Sequence, residues 1–233
     1  MADADDDGPL LTREFLLSGR LPEMIARQNP EVRLLSNAER EASLHDMLAR
    51  RPDRGQGVWV FAYGSLIWNP MVHHTERARA HTPDWHRTFC LTVRMGRGTP
   101  ENPGLMLGLR PGGGCGGVAF RIEERLVEQE LDLLWRREMV ADGYIPRWVD
   151  LLDAEERPMG AAVAFTINPH APSYAGDLPD AVVARRLATA RGRLGTAAEY
   201  LYRTRDGLRD VGIACPFVER IATLVDTELS GDR

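Results

Sequence analysis

No run of this 233-residue chain approaches the roughly 18 consecutive apolar residues of a membrane span. No basic stretch followed by an apolar core opens it either. Its first residues carry Asp3, Asp5, Asp6 and Asp7, a solvated acidic end where an export signal would be basic. Cysteine is scarce: Cys90, Cys115 and Cys215 are odd in number and widely spaced, which argues against a disulfide framework and for a reducing cytoplasm. There is no excess of positive charge, with 29 Lys and Arg against 34 Asp and Glu, so nothing electrostatic calls for nucleic acid or an anionic membrane as partner. The glycine-rich run 112–117 has neither dinucleotide-binding spacing nor a P-loop lysine. His73, His74, His81 and His86 lack the spacing of a metal site. No cofactor or metal is expected, and there is no internal repeat.

What is present is the composition of an ordinary globular protein, 43% apolar and 27% charged, long enough for one sizeable core. Residues 10–30 read as a short helical segment broken by Gly19 and Pro22. Ser36-Asn37-Ala38-Glu39 has the form of a capping box, and the helix it opens carries Leu44, Met47 and Leu48 on one face and stops before Pro52. The polar stretch 53–57 is read as a linker between an N-terminal helical extension, 1–55, and a main domain, 57–229. That domain opens on Val58-Trp59-Val60-Phe61-Ala62-Tyr63, a continuous apolar run expected of a strand buried on both faces. Further strands are expected at 88–93, 105–109, 118–122, 144–151 and 161–167, with 105–122 forming a hairpin around the glycine-rich loop. Helices are expected at 123–140, 180–193, 196–207 and 216–229, Pro216 suiting a first turn. Strands in the middle with helices before, between and after them predict an α+β fold. Trp59, Trp68, Trp85, Trp135 and Trp148 read as core and pocket wall.

Two places could carry chemistry. On the 123–140 helix, Val127, Leu131, Leu134 and Trp135 form an apolar stripe. Glu138 falls three turns and about 20° beyond Val127 and so continues it, while Arg136 and Arg137 are expected to point elsewhere. A carboxylate on an apolar face must be paired, protonated or turned to a cavity. Either an ion-paired residue at a frayed helix end or a functional acid fits the pattern. The second place is the strand end Ala62-Tyr63-Gly64-Ser65-Leu66-Ile67-Trp68. A buried strand that breaks at Gly-Ser exposes backbone N–H groups, which can hold a carboxylate or a developing oxyanion; an ordinary strand-to-loop turn has the same pattern. Ser65 lacks the G-x-S-x-G setting of a nucleophile elbow, and no histidine signature accompanies a cysteine.

Taken whole, the segment from Val58 to Trp68 with Asn69-Pro70 resembles the N-terminal signature of the ChaC-type γ-glutamylcyclotransferases. Trp135-Arg136-Arg137-Glu138-Met139, followed by Gly143-Tyr144, is similar to that family's catalytic glutamate segment. Trp85-His86-Arg87, Gly96-Arg97-Gly98-Thr99-Pro100, Gly116-Gly117-Val118-Ala119 and Glu199-Tyr200-Leu201 follow in the family's order. The likeness covers 57–229, and Leu11-Thr12-Arg13-Glu14 resembles the bacterial long forms. A Y-G-S turn alone is shared more widely, but the turn together with a correctly spaced helix glutamate decides both open readings for function.

The resemblance implies the cyclotransferase fold, a small mixed, barrel-like sheet with flanking helices. It also implies cleavage of a small-molecule γ-glutamyl substrate, glutathione first, to 5-oxoproline. Glu138 would be the general acid/base, and Ala62, Tyr63, Gly64, Ser65, Leu66 and Ile67 would grip the γ-glutamyl group. Tyr144, Tyr200, Arg87 and Arg97 are further candidates for orienting substrate carboxylates. Such a reaction needs no metal, nucleotide or covalent intermediate, because the nucleophile is the substrate's own α-amine. Two alternatives stand beside it: a cyclotransferase for other γ-glutamyl amines or amino acids, and a non-catalytic binding or cation-transport regulatory protein.

Overall fold

The computed structural model describes residues 11–231; the acidic run from Asp3 to Asp7 lies outside them. Three helices come first: α1 (Arg13–Leu17), α2 (Leu21–Gln28) and α3 (Asn37–Ala49). Gly19 does interrupt α1 and α2, at φ +72°. Pro22 breaks nothing, because it stands in the first turn of α2, where its missing N–H has no helical partner to lose. The capping box forms as expected, Ser36 accepting from the Glu39 N–H and Glu39 from the Ser36 N–H.

Next come β1 (Val58–Ala62), a 3₁₀ turn (Ser65–Ile67), β2 (Glu76–Thr82), β3 (Trp85–Val93), β4 (Gly104–Pro111) and β5 (Cys115–Ile122). They are followed by α4 (Val127–Glu138), β6 (Tyr144–Leu152), β7 (Pro158–Ile167) and α5 (Asp180–Thr189). The last elements are a two-residue pair, β8 (Arg191–Gly192) and β9 (Gly195–Thr196), then α6 (Ala197–Asp210) and α7 (Pro216–Gly231). The helix expected at 180–193 ends at Thr189, where the β8–β9 turn takes over.

Five strands close a barrel in the order β1-β5-β2-β6-β7, with β1 and β7 parallel and the other pairs antiparallel. All five residues of β1 are buried, as the unbroken apolar run requires. The expected 105–122 hairpin does not form: β4 pairs with β3 in a separate two-stranded sheet, and β5 pairs with β1 and β2. Gly112 and Gly113, at φ +89° and +74°, let the chain leave one sheet for the other in a conformation that side chains rarely adopt. Gly116 and Gly117 belong to β5, and a Cβ on Gly117 would fall 2.4 Å from the Ala62 carbonyl oxygen.

On α4 the expected stripe is real: Val127, Leu131, Leu134 and Trp135 are all buried, each of the aliphatic three stabilising the fold by about 1.5–3 kcal/mol. The Trp135 ring meets Phe165 of β7 edge-on at 5.2 Å, and its Nε1 donates to Ser43 Oγ of α3 at 3.1 Å. The far side of α4 is covered from the N-terminus, where Leu16, Leu21 and Ile25 pack with Leu133. Both faces of α4 are therefore held, and its C-terminal residue has a fixed position at one end of the barrel.

Candidate active site

The last residue of α4 is Glu138, and its side chain is 14% exposed. It lines an open pocket of about 290 Å³ together with Tyr63, Gly64, Ser65, Leu66, Leu107, Tyr144, Phe165 and Tyr200. Six separate parts of the chain meet there: the turn after β1, β4, the end of α4, the start of β6, β7 and α6. A larger cleft of about 450 Å³, lined by Arg51, Trp59, Arg121 and Trp148 among others, sits at the opposite end of β1.

The turn after β1 makes one wall. Ile67 N–H donates to the Gly64 carbonyl at 3.0 Å, and Asn69 N–H to that of Ser65 at 2.9 Å. Among the described residues the N–H groups of Gly64, Ser65 and Leu66 have no protein acceptor. Gly64 lies at φ −138°, so no left-handed conformation requires a glycine there. What requires it is the space: a Cβ would stand 2.7 Å from the Tyr200 hydroxyl.

Three tyrosine hydroxyls form the opposite side. Tyr63 donates to the Phe165 carbonyl. Tyr144 donates to the Leu107 carbonyl at 2.9 Å, and Tyr200 accepts from the Leu107 N–H at 3.4 Å. Burial drives all three phenols above their usual range, so they stay neutral and act as dipoles. Burial also raises the Glu138 carboxyl, the nearby Arg137 opposing it in part.

Arg137 does not point elsewhere, contrary to the helical-wheel expectation. Its Nε lies 2.9 Å from Glu138 Oε1, its Nη2 donates to Ser65 Oγ at 2.9 Å, and its Nη1 donates to the Asn69 carbonyl at 2.6 Å. A side chain at the last helical position is free to fold back toward its neighbour, which a mid-helix pair at i and i+1 is not. Among the described residues neither Glu138 oxygen accepts a hydrogen bond; its contact with Arg137 is an ion pair.

Of the residues singled out in the sequence, Tyr63, Gly64, Ser65, Leu66, Glu138, Tyr144 and Tyr200 are brought together around the pocket. Ala62, the last residue of β1, and Ile67 lie buried behind it. Arg97 is also buried and is tied to α6, donating to the Thr196 carbonyl at 2.7 Å and to Glu199 at 3.2 Å. Arg87 is buried with its Nη1 lacking a hydrogen-bond partner; neither arginine lines the pocket. No tryptophan does either: Trp135 is core, and Trp59 and Trp148 line the other cleft. Among the described residues no group of three or more His, Cys, Asp and Glu is placed to hold a metal, and no helix is long and apolar enough to cross a membrane.

The fold is that of the γ-glutamyl cyclotransferases. The yeast γ-glutamyl cyclotransferase specific to glutathione superposes with a TM-score of 0.68 at 20% identity, covering 75% of this chain and 97% of that one. The family model described as ChaC-like protein matches residues 58–227, and the chain belongs to that family, as its signature segments indicated. It is 42% identical over 204 residues to the glutathione-specific γ-glutamylcyclotransferase of Escherichia coli K12, covering 88% of this chain and 87% of that protein. With the human glutathione-specific γ-glutamylcyclotransferase 1 it shares 31% identity over 175 residues, 73% of this chain and 78% of that protein.

Proposed function

We propose that this protein cleaves glutathione to 5-oxoproline and cysteinylglycine, with Glu138 as the single proton shuttle. The observation that carries the assignment is Glu138 itself: a desolvated carboxylate with one oxygen against Arg137 and the other free, in a pocket walled by the turn after β1. The 42% identity to a bacterial enzyme named for glutathione supports the choice of substrate.

The N–H groups of Gly64, Ser65 and Leu66 are aimed, in this reading, at the α-carboxylate of the γ-glutamyl group or at the oxyanion that develops on its γ-carbonyl. The tyrosine hydroxyls define the remaining walls. Held folded, the substrate brings its α-amine to its own γ-carbonyl carbon, an intramolecular encounter with a large effective concentration. Glu138 takes a proton from the α-ammonium; the amine attacks, and the new N–C bond closes the five-membered lactam. As the old C–N bond breaks, the carboxyl delivers that proton to the departing peptide nitrogen, and the carboxylate so regenerated takes the second proton from the new ring nitrogen and gives it to the released amine, which leaves as an ammonium. A raised carboxyl is a better base for an ammonium than an ordinary one. Ser65 acts as an acceptor for Arg137 and not as a nucleophile.

Residues 1–55 are read as an extension that braces the domain 57–229. Its described part is anchored by Arg13, which donates to both oxygens of the fully buried Glu130 at 2.6 and 2.8 Å. Three free cysteines, two of them buried, support a reducing, cytoplasmic setting.

The test is product identification. Incubation with glutathione and a panel of γ-glutamyl amino acids and amines should release 5-oxoproline fastest from glutathione. Preference for another member would move the assignment to that substrate, and no 5-oxoproline from any would refute it.

A further inference from the structure

Arg137 reaches three parts of the site: Nη2 and Nη1 donate hydrogen bonds to Ser65 Oγ and the Asn69 carbonyl, and Nε lies 2.9 Å from Glu138 Oε1 in an ion pair. The side chain is only 6% exposed, so these are contacts of a nearly dry guanidinium, where fixed geometry counts most. Two of them grip opposite ends of the turn after β1 and the third grips the carboxylate. The turn and the end of α4 come from parts of the chain some seventy positions apart, as the separations of 72 and 68 residues for the two turn contacts show. Arg137 is the side chain that joins them.

The other groups facing Glu138 carry no charge at neutral pH. Tyr63 follows β1, Tyr144 opens β6 and Tyr200 lies on α6, and burial keeps each phenol protonated. Arg137 is the charged neighbour that opposes the desolvation of the carboxylate.

We propose that Arg137 is a positioning residue of the proton shuttle: it locks Glu138 to the amide-bearing turn and serves as its counterion in the empty pocket. When substrate enters, its ammonium approaches the free Oε2 while Oε1 stays held, so the carboxylate meets the proton it must take in one orientation. This role rests on the assignment of Glu138 as the acid/base group.

Two measurements test it, one independent of turnover. In ligand-free protein labelled with ¹³C at glutamate side chains, the Glu138 resonance is assigned by its loss in Glu138→Gln, and its titration is followed. In Arg137→Met its midpoint should rise by about 1 pH unit or more, as expected when an adjacent cation is removed; in Arg137→Lys it should stay near the wild-type value. An unmoved midpoint in folded Arg137→Met overturns the proposal. In the glutathione assay, Arg137→Met should lose roughly 10–100-fold in kcat, the scale of a misplaced catalytic group, with the acid limb of its pH profile displaced upward by the same amount. Loss of rate with an unmoved acid limb would mark Arg137 as structural only. Should Arg137→Met not fold, Arg137→Lys decides: charge kept and fork lost predicts an unmoved acid limb with kcat down about tenfold, and full kcat refutes positioning. If the wild-type protein releases no 5-oxoproline, the proposed reaction fails while the titration still judges the pair.

Discussion

Replacing Glu138 by glutamine separates proton transfer from everything else the side chain does. Glutamine has the same length, and its Oε1 can still face Arg137 Nε, so the turn and the end of α4 keep their contacts. What disappears is the proton transfer proposed for it, from the ammonium and on to the leaving nitrogen. Such a contribution is worth about 10²–10⁴-fold, or roughly 3–5 kcal/mol of barrier at about 1.4 kcal/mol per decade. The loss should fall on kcat, with KM little changed, because the amides and tyrosines that shape the pocket are untouched. Stability should move the other way. Burial holds the folded carboxyl above the ordinary value of 4.5, so the native state binds the proton more tightly than the unfolded chain does. Stability of the wild-type protein therefore falls as pH rises from that ordinary value through the folded one, by about 1.4 kcal/mol for each pH unit between them. Glu138→Gln escapes that penalty: it should be more stable than wild type at pH 7 and lose the advantage at about pH 4 and below. Thermal unfolding from pH 4 to 8 and single-turnover 5-oxoproline release read the two effects on the same samples. Turnover within tenfold of wild type in a well-folded variant, or a stability difference that grows toward acid pH, would refute the reasoning.

Gly64→Ala should lose activity more than tenfold while remaining folded, because its Cβ would sit 2.7 Å from the Tyr200 hydroxyl at the pocket wall; unchanged KM and kcat would show that the turn does not grip substrate. Ser65→Ala should cost far less than Glu138→Gln and form no covalent adduct by mass spectrometry, since only an acceptor for Arg137 Nη2 is lost; an acyl group trapped on Ser65 would replace cyclisation by acyl transfer. Arg13→Ala should destabilise by about 3 kcal/mol in urea unfolding at pH 7, the lower end for stranding a buried carboxylate, here Glu130. Burial by itself would raise Glu130, but the Arg13 and His73 contacts hold it below its usual range, so their stabilisation exists above about pH 4.5 and fades as pH falls through the folded value; an Arg13→Ala effect that persists undiminished at pH 3 contradicts this. Turnover should survive chelators and alkylation of the half-buried Cys215, and activity restored by added metal would mean a required ion was missed.

The parts of this fold written in local pattern were legible in the sequence. An unbroken apolar run marks β1, a capping box marks the start of α3, and a four-residue stripe marks α4, because each is set by neighbours within a few positions. β2 was not legible. Glu76-Arg77-Ala78-Arg79-Ala80-His81-Thr82 buries Ala80 and Thr82 alone, small residues whose alternation with charge is too faint a signal; its strand character comes from pairing with β5. The 105–122 segment misled for the opposite reason. Two strands joined by a glycine-rich loop look like a hairpin, yet those glycines carry the chain from one sheet to another. In the pocket, Leu107 and Phe165 escaped notice because their polar contribution is a backbone carbonyl accepting from Tyr144 and Tyr63, and a carbonyl has no letter in the sequence. Arg137 escaped because a straight helical wheel separates it from Glu138.

That last difference bears on the two readings that the pattern alone left open for Glu138, a structural ion pair at a helix end or a functional acid. The residue has the position each reading requires: it ends α4 and faces Arg137, and it also lines the pocket. The distinction lies in how much of the carboxylate the pair consumes. A structural carboxylate in a dry setting needs partners for both oxygens to offset its desolvation, as Glu130 has, with Arg13 on each oxygen and the His73 N–H besides. Glu138 has one oxygen 2.9 Å from Arg137 Nε in an ion pair and, among the described residues, accepts a hydrogen bond on neither. Glu130 is accordingly held below the usual carboxylate range while Glu138 lies above it, although both sit on α4 two turns apart and each has an arginine. The incomplete pairing leaves Glu138 with unspent basicity beside the pocket, and in the proposed reaction the substrate ammonium supplies the partner that the protein withholds.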